Sequence, residues 1–281
     1  MNEGDAIQVD VDAILTERLG WRRKLVPAFL VRRLENLIHQ KRMNEIMKRI
    51  HPRRGADFCR AALQELDVRI DVQGVRNLPQ NGRVLFAGNH PLGGLDGIAT
   101  IMMLADHYGI EPLFIVNDLL MAIEPLRDVF VPVNKHGAQN RFTISSLEGA
   151  LASDKPVVIY PAGLVSRLGK DSGISDLKWH KSFVSMALAS HRDIVPLYFE
   201  GQNSMNFYKL ARWRERLGFR FNFEMLLLPD EMFKGAGKTY VLRCGAPISW
   251  AEINREPDPD LWCARIRREV YSLANSHEYG S

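Results

Sequence analysis

Apolar residues follow two rhythms along this chain, and the change falls near residue 60. Before it, Trp21, Leu25, Leu30, Leu34, Leu37 and Ile38 recur at roughly helical spacing with arginines between them, and Met43, Ile46, Met47 and Ile50 continue the pattern. Such spacing lays apolar side chains along one face of a helix and leaves the basic ones on the other. Pro27 starts or kinks one of these helices, because its ring fixes φ and removes an amide donor. His51-Pro52 ends the run.

Beyond residue 60, short apolar runs of β type alternate with helical stretches. The predicted strands are Val84–Gly88, Pro112–Val116, Val129–Val133, Val157–Tyr160, Ile194–Phe199, Phe221–Leu228 and Tyr240–Cys244. The predicted helices are Asp57–Leu66, Ile98–His107, Phe142–Ser153, Lys181–Ser190 and Asp258–Ser276, and Gly235-Ala236-Gly237 marks a turn. This alternation predicts an α/β fold with a mixed, mostly parallel central sheet flanked by helices. The chain therefore divides into a basic helical N-terminal region, residues 1–56, and an α/β domain, residues 57–281.

Composition narrows the class. The 46% apolar and 25% charged fractions of these 281 residues are those of an average soluble protein, so a sizeable core is expected and wholesale disorder is not. Cys59, Cys244 and Cys263 are odd in number and widely scattered, which argues against a disulfide framework or a structural zinc site and for a reducing compartment. No apolar run approaches the ~18 residues of a membrane-spanning helix. The first residues are acidic (Glu3, Asp5, Asp10, Asp12) and lack the basic-then-apolar layout of a signal peptide, so a cytoplasmic protein is expected.

The net charge of +4 hides a strong local excess: twelve Lys and Arg residues between Arg18 and Arg54 face only Glu35 and Glu45. Such a segment suits an anionic membrane or an acidic protein, or else packs on its own domain with a solvated charged face. Nucleic acid is disfavoured, since no recognisable binding motif accompanies the charge.

Chemistry concentrates after three of the predicted strands, where open α/β sheets gather their sites. Asn89-His90-Pro91-Leu92-Gly93-Gly94-Leu95-Asp96 follows the first strand. A histidine with an acid within reach is a ready proton acceptor, the acid fixing the ring tautomer. The glycines free the turn to bring the two together. Plainer roles exist for both: Asp96 as a helix N-cap and His90 as a satisfied turn residue. Pro161 to Arg167 follows Val157–Tyr160, and Glu200 to Ser204 follows Ile194–Phe199.

The order and spacing of these blocks resemble those of the lysophospholipid (glycerolphosphate) acyltransferase superfamily, in its hemolysin-like bacterial branch. His90 and Asp96 match the family's His–Asp block, with five intervening residues where four are usual. Tyr160-Pro161-Ala162-Gly163-Leu164-Val165-Ser166-Arg167 matches the Phe-Pro-Glu-Gly-Thr-Arg-Ser block, with Ala162 at the usual glutamate. Ile194-Val195-Pro196-Leu197 matches the strand with a Val/Ile-Pro pair. Phe114 to His136 matches the remaining block loosely, with Asn134-Lys135-His136 where an Asp-Arg pair is often found.

The resemblance implies transfer of a fatty acyl group from a thioester, acyl carrier protein or coenzyme A, to the hydroxyl of a lyso-lipid. His90 would be the general base and Asp96 its orienting acid, with no metal or cofactor required. Arg167, helped by Lys135 or Lys181, would hold an anionic part of a substrate. Asn89, Gly93, Gly94, Gly163 and Ser166 would line the site, with amides of the Gly93-Gly94 turn or near Gly163 as oxyanion donors. Trp179-His180-Lys181 would form its rim, and Met102, Met103, Leu119, Leu120 and Met121 are candidates for an acyl groove or plain core.

Ala162 and Asn134-Lys135 depart from the phosphatidic-acid pattern and favour a lyso-aminolipid acceptor. The expected location is peripheral, on the inner membrane face. Two rivals share the dyad: a thioester hydrolase using water, and a non-catalytic lipid-binding protein. No Gly-x-Ser-x-Gly elbow is present for the former, and the glycine spacing at 93–97 fits no nucleotide loop.

Overall fold

The computed structural model describes residues 8–133, 141–169, 172–219 and 222–275. Its strands are β1 Arg69–Gln73, β2 Val84–Gly88, β3 Leu113–Asn117, β4 Phe130–Val133, β5 Val157–Ile159, β6 Arg167–Leu168, β7 Ile174–Ser175, β8 Asp193–Phe199 and β9 Thr239–Cys244. Its helices are α1 Val11–Leu19, α2 Ala28–Leu37, α3 Gln40–Ile50, α4 Gly55–Glu65, α5 Leu95–Tyr108, α6 Arg141–Ala152, α7 Ser182–Ser190, α8 Met205–Arg216, α9 Leu228–Lys234, α10 Trp250–Arg255 and α11 Pro259–Ser272.

Seven strands form one sheet in the order β1-β9-β8-β2-β5-β3-β4, while β6 and β7 make a small separate hairpin. All neighbours in the large sheet are parallel except β8 and β9. β2 lies inside the sheet with β5 on one side and β8 on the other, Phe86 standing opposite Val158 and Val195. Every residue of β2 is buried, as expected for a parallel strand covered on both faces.

Strand side chains alternate between two apolar layers. Phe86, Val158 and Val195 face a layer containing Phe58, Ala61 and Leu63 of α4 and Leu95, Ala99 and Met103 of α5. Leu85, Val157 and Ile194 face the opposite layer, built from Phe183 and Val184 of α7 and Trp262 and Ile266 of α11. The result is helices, sheet, helices, with the carboxyl ends of β2, β5 and β8 side by side.

Several features differ from the sequence expectation. The strand expected at Phe221–Leu228 does not form: Phe223–Leu227 is a 3-10 segment and Leu228 opens α9. Pro229 in the first turn suits a helix start, and Asp230 and Glu231 there meet the positive end of the helix dipole. A short apolar run does not by itself distinguish strand from buried helix. The edge strand β1, with its polar alternation Arg69-Ile70-Asp71-Val72-Gln73, and the helix α8 were not anticipated.

The N-terminal region is helical, but its two ends behave differently. In α3, Ile46 and Ile50 enter the main core. Trp21 and Leu25 lie in a 3-10 segment, Gly20–Leu25, and are 72% and 70% exposed, with Phe29 and Leu30 of α2 exposed beside them. His39, in the left-handed region at φ 54°, separates α2 from α3. Its Nε2 lies 2.8 Å from Asp230 of α9, and Arg42 sits over the Phe233 ring, 4.4 Å from its centre.

Candidate active site

At the end of β2, Asn89 fastens the strand to β8. Its Nδ2 donates to the Phe199 carbonyl at 2.9 Å and its Oδ1 accepts from the Phe199 amide at 2.7 Å. The side chain is thus engaged within the sheet. His90 emerges next, its ring stacked on Tyr160 with centres 4.4 Å apart. Tyr160 is buried, and its hydroxyl pairs with Thr100 at 3.1 Å. Burial and the nearby Asp96 charge push that phenol well above its ordinary range, so it stays neutral beneath the imidazole.

His90 and Asp96 meet across the glycyl turn, with Nδ1 3.0 Å from Oδ2. Gly93 absorbs the additional residue by adopting φ +88°, in the left-handed region. A side chain there would strike Leu228 at 2.9 Å and Val165 at 3.1 Å. Asp96 is not the N-cap; Gly94 occupies that position and Asp96 lies within the first turn of α5. Oδ2 also accepts the amides of Leu92 at 2.9 Å and Gly93 at 3.2 Å, and Oδ1 accepts that of Gly97 at 2.9 Å.

Complete burial opposes charge on Asp96, but the imidazole and these amides outweigh it and hold the carboxyl below its ordinary value. An ionised carboxylate accepts only, so Nδ1 must carry its proton toward Asp96 and Nε2 is left as the basic atom. Nε2 has no hydrogen-bond partner among the described residues, and the ring is 17% exposed. This is the arrangement a general base requires.

The block after β5 supports the turn. Gly163, at φ +60°, donates its amide to the Tyr160 carbonyl at 2.9 Å. With the Gly93 amide directed at Asp96, neither of these two amides is open to an oxyanion; Gly94 begins the helix and remains the better candidate. Ser166, expected to line the substrate, is buried: its amide donates to the His90 carbonyl at 2.8 Å and its hydroxyl to Asp176 at 2.6 Å.

Asp176 has no counterpart in the sequence expectation. This buried carboxylate also accepts the His90 amide at 3.2 Å and the Trp179 indole at 2.9 Å, joining the two motif blocks. A solitary Asp after a two-strand hairpin has no periodicity or motif to betray it. Trp179, expected at the rim, is packed inside against Phe183. Asn203, in the segment after β8, donates to the Pro91 carbonyl at 3.2 Å and braces the turn from the far side.

Arg167 does not face an open site. It is buried, with its guanidinium donating to Glu224 at 2.9 Å and to the Val165 carbonyl at 2.7 Å. Glu224 is fully buried and accepts from Arg214 as well, at 2.8 Å. Burial, and then the opposing Arg214, pull the Arg167 pKa down while Glu224 lifts it. The structure therefore departs from the expectation that Arg167 clamps an anion. Lys181 is exposed and paired with Asp260, and Lys135 lies outside the described residues.

Of the groove candidates, Met103 is core and Met102 packs against it, whereas Leu120 is exposed on a 3-10 segment, Asp118–Ala122. Among the described residues no cluster of His, Cys, Asp and Glu suits a metal ion, and no helix is long and apolar enough to cross a membrane.

A family model described as acyltransferase matches residues 13–280. A protein of Phocaeicola vulgatus named lyso-glycine lipid O-acyltransferase is 39% identical over 97% of this chain and 98% of its own length. One of Bacteroides thetaiotaomicron with the same name is 37% identical over 97% of this chain and 100% of its own. A crystal structure of the 1-acyl-sn-glycerophosphate acyltransferase PlsC from Thermotoga maritima aligns with a TM-score of 0.47 at 15% identity, covering 94% of this chain and 96% of that one.

Proposed function

Because the chain belongs to the acyltransferase family, within the lysophospholipid acyltransferase superfamily, we propose that it moves a fatty acyl group from a thioester to the hydroxyl of a lyso-lipid. The acceptor carried over from the two named relatives is a lyso-glycine lipid, in keeping with the lyso-aminolipid class favoured by Ala162. The donor is acyl carrier protein or coenzyme A.

The observation that supports this most directly is the tethered imidazole: Nδ1 fixed by an ionised acid and Nε2 left free. Nε2 takes the proton from the acceptor hydroxyl as its oxygen attacks the thioester carbonyl. The tetrahedral intermediate collapses with loss of thiolate, and the imidazolium returns the proton to sulfur. An ester and a free thiol leave, and His90 is regenerated. Asp96 holds the tautomer and stabilises the imidazolium. General-base assistance of this kind contributes roughly 10²–10⁴-fold; positioning and oxyanion donors supply the rest.

The basic N-terminal region, with Trp21, Leu25 and Phe29 exposed among its arginines, suits an anionic lipid surface. Each basic residue near such a surface contributes about 1 kcal/mol, so the enzyme works peripherally on the membrane's inner face. The same charge favours an acidic carrier protein as donor.

The test is a purified reaction with lyso-glycine lipid and either acyl-ACP or acyl-CoA, read by lipid mass spectrometry. Diacylated product is expected, absent with His90→Ala. Fatty acid release at the same rate without acceptor would instead identify a thioester hydrolase.

A further inference from the structure

Between β8 and β9 the chain makes an excursion, α8, the 3-10 segment and α9, that leans on the active-site turn. Leu228 closes on Gly93 and Met232 on Gly94. The inner face of α8 is conventional: Phe207, Tyr208 and Ala211 are buried, and Arg214 holds Glu224. Its outer face is not. Met205, Lys209, Trp213 and Leu217 recur every four residues along it, and Trp213, Leu217 and the following Phe219 each expose more than half their surface.

The exposed rings are organised. Trp213, Phe219 and Phe223 form a mutual cluster with centres 6.0 to 6.3 Å apart, and Leu226 adds a further exposed apolar side chain. Clustered rings with this much exposed surface mark an interaction surface. Its charge identifies the partner. Lys209 and Arg216 flank Trp213 with no ion pair among the described residues, and the adjacent acid, Glu215, is held by Arg214. Aromatic rings among unpaired cations match the boundary of an anionic lipid surface, where rings sit at headgroup depth and cations meet phosphate.

We infer that the outer face of α8, with its aromatic tip, is a lipid-bilayer contact separate from the N-terminal region. Ser204, the N-cap of α8, directly follows Asn203, which braces Pro91. The contact therefore seats the His90 turn near the bilayer that holds its acceptor. This rests on the reading of the enzyme as an acyltransferase of membrane lipids.

The test is co-sedimentation of the full chain with phosphatidylcholine vesicles, with and without phosphatidylglycerol, alongside activity on detergent-dispersed and vesicle-embedded acceptor. The double variant Trp213→Ser/Phe219→Ser is expected to weaken binding to both vesicle types by at least roughly tenfold. Lys209→Gln/Arg216→Gln should weaken binding only to anionic vesicles, about fivefold per charge. Both should keep their activity on dispersed acceptor; the aromatic variant should lose it on both vesicle types, and the charge variant on the anionic vesicles alone.

Unchanged vesicle binding by both variants overturns the inference. So does unchanged vesicle binding with altered self-association or carrier-protein affinity, which would assign the face to a protein. If wild-type protein transfers no acyl group in either format while the variants still lose vesicle binding, the reaction is misread and the surface stands.

Discussion

Two buried charge clusters flank the turn after β2, built from similar ingredients to different ends. In one, Asp96 holds His90, and the imidazole remains 17% exposed with Nε2 unengaged. In the other, Glu224 is gripped by Arg167 and Arg214, whose side chains are only 7% and 10% exposed. The first cluster leaves Nε2 without a hydrogen-bond partner among the described residues; the second turns its charges on one another and braces α8 against the block after β5. Residue type and a place in a motif did not decide between these fates. What decided was whether the fold left the basic side chain partly exposed, as at His90, or enclosed it with its acid, as at Arg167.

Substitutions can break this contrast. The largest effect is expected for His90→Ala, which should lower turnover roughly 10²–10⁴-fold while thermal unfolding stays cooperative and near wild type. Substantial turnover in that folded variant would remove the open cluster from the chemistry. Glu224→Gln strands two buried guanidiniums. Breaking a buried pair costs about 3–5 kcal/mol, so denaturant unfolding should shift by that much while Michaelis constants of the surviving folded enzyme barely move. A large Michaelis effect with little stability loss would mean that Arg167 does reach substrate.

Asp96→Asn sharpens the contrast through pH. The folded carboxyl lies below its ordinary value of 3.8, so its contribution to stability is complete above that value and is lost as pH falls through the lower folded pKa. Wild type should exceed the variant in stability at neutral pH, and the gap should narrow on acidification below about pH 4. A gap that grows in acid would refute the ionised assignment.

The smallest effect is expected for Asp176→Asn, which weakens the brace on the His90 amide without touching the ring. Losing part of such a buried charged hydrogen-bond set costs about 1–3 kcal/mol. The variant should therefore melt lower and turn over somewhat more slowly with an unchanged Michaelis constant. Wild-type kcat and melting would show that the brace is dispensable.

Much of this architecture is legible in the sequence. Val84–Gly88 is a strand with the predicted ends because four apolar residues and a glycine, followed by a glycine-rich turn, admit few other conformations once both faces are covered. The His90–Asp96 contact was readable because both residues lie in one short turn. Arg167 was misplaced for the complementary reason. Its partner Glu224 lies 57 residues away, in a run read as a strand, and nothing local revealed that a carboxylate would reach it first. Asp176 was missed likewise, since its carboxylate's value lies in the bond from the His90 amide, 86 residues distant.

The order of apolar runs and the composition of one glycine-rich turn determined the layered fold and the His90–Asp96 contact, because both are short-range consequences of side-chain period and chain geometry. Tertiary packing decided which charges stay available. Burial makes an unpaired ion too costly, so each buried guanidinium or carboxylate takes whatever partner the fold delivers, and that partner comes from elsewhere in the chain.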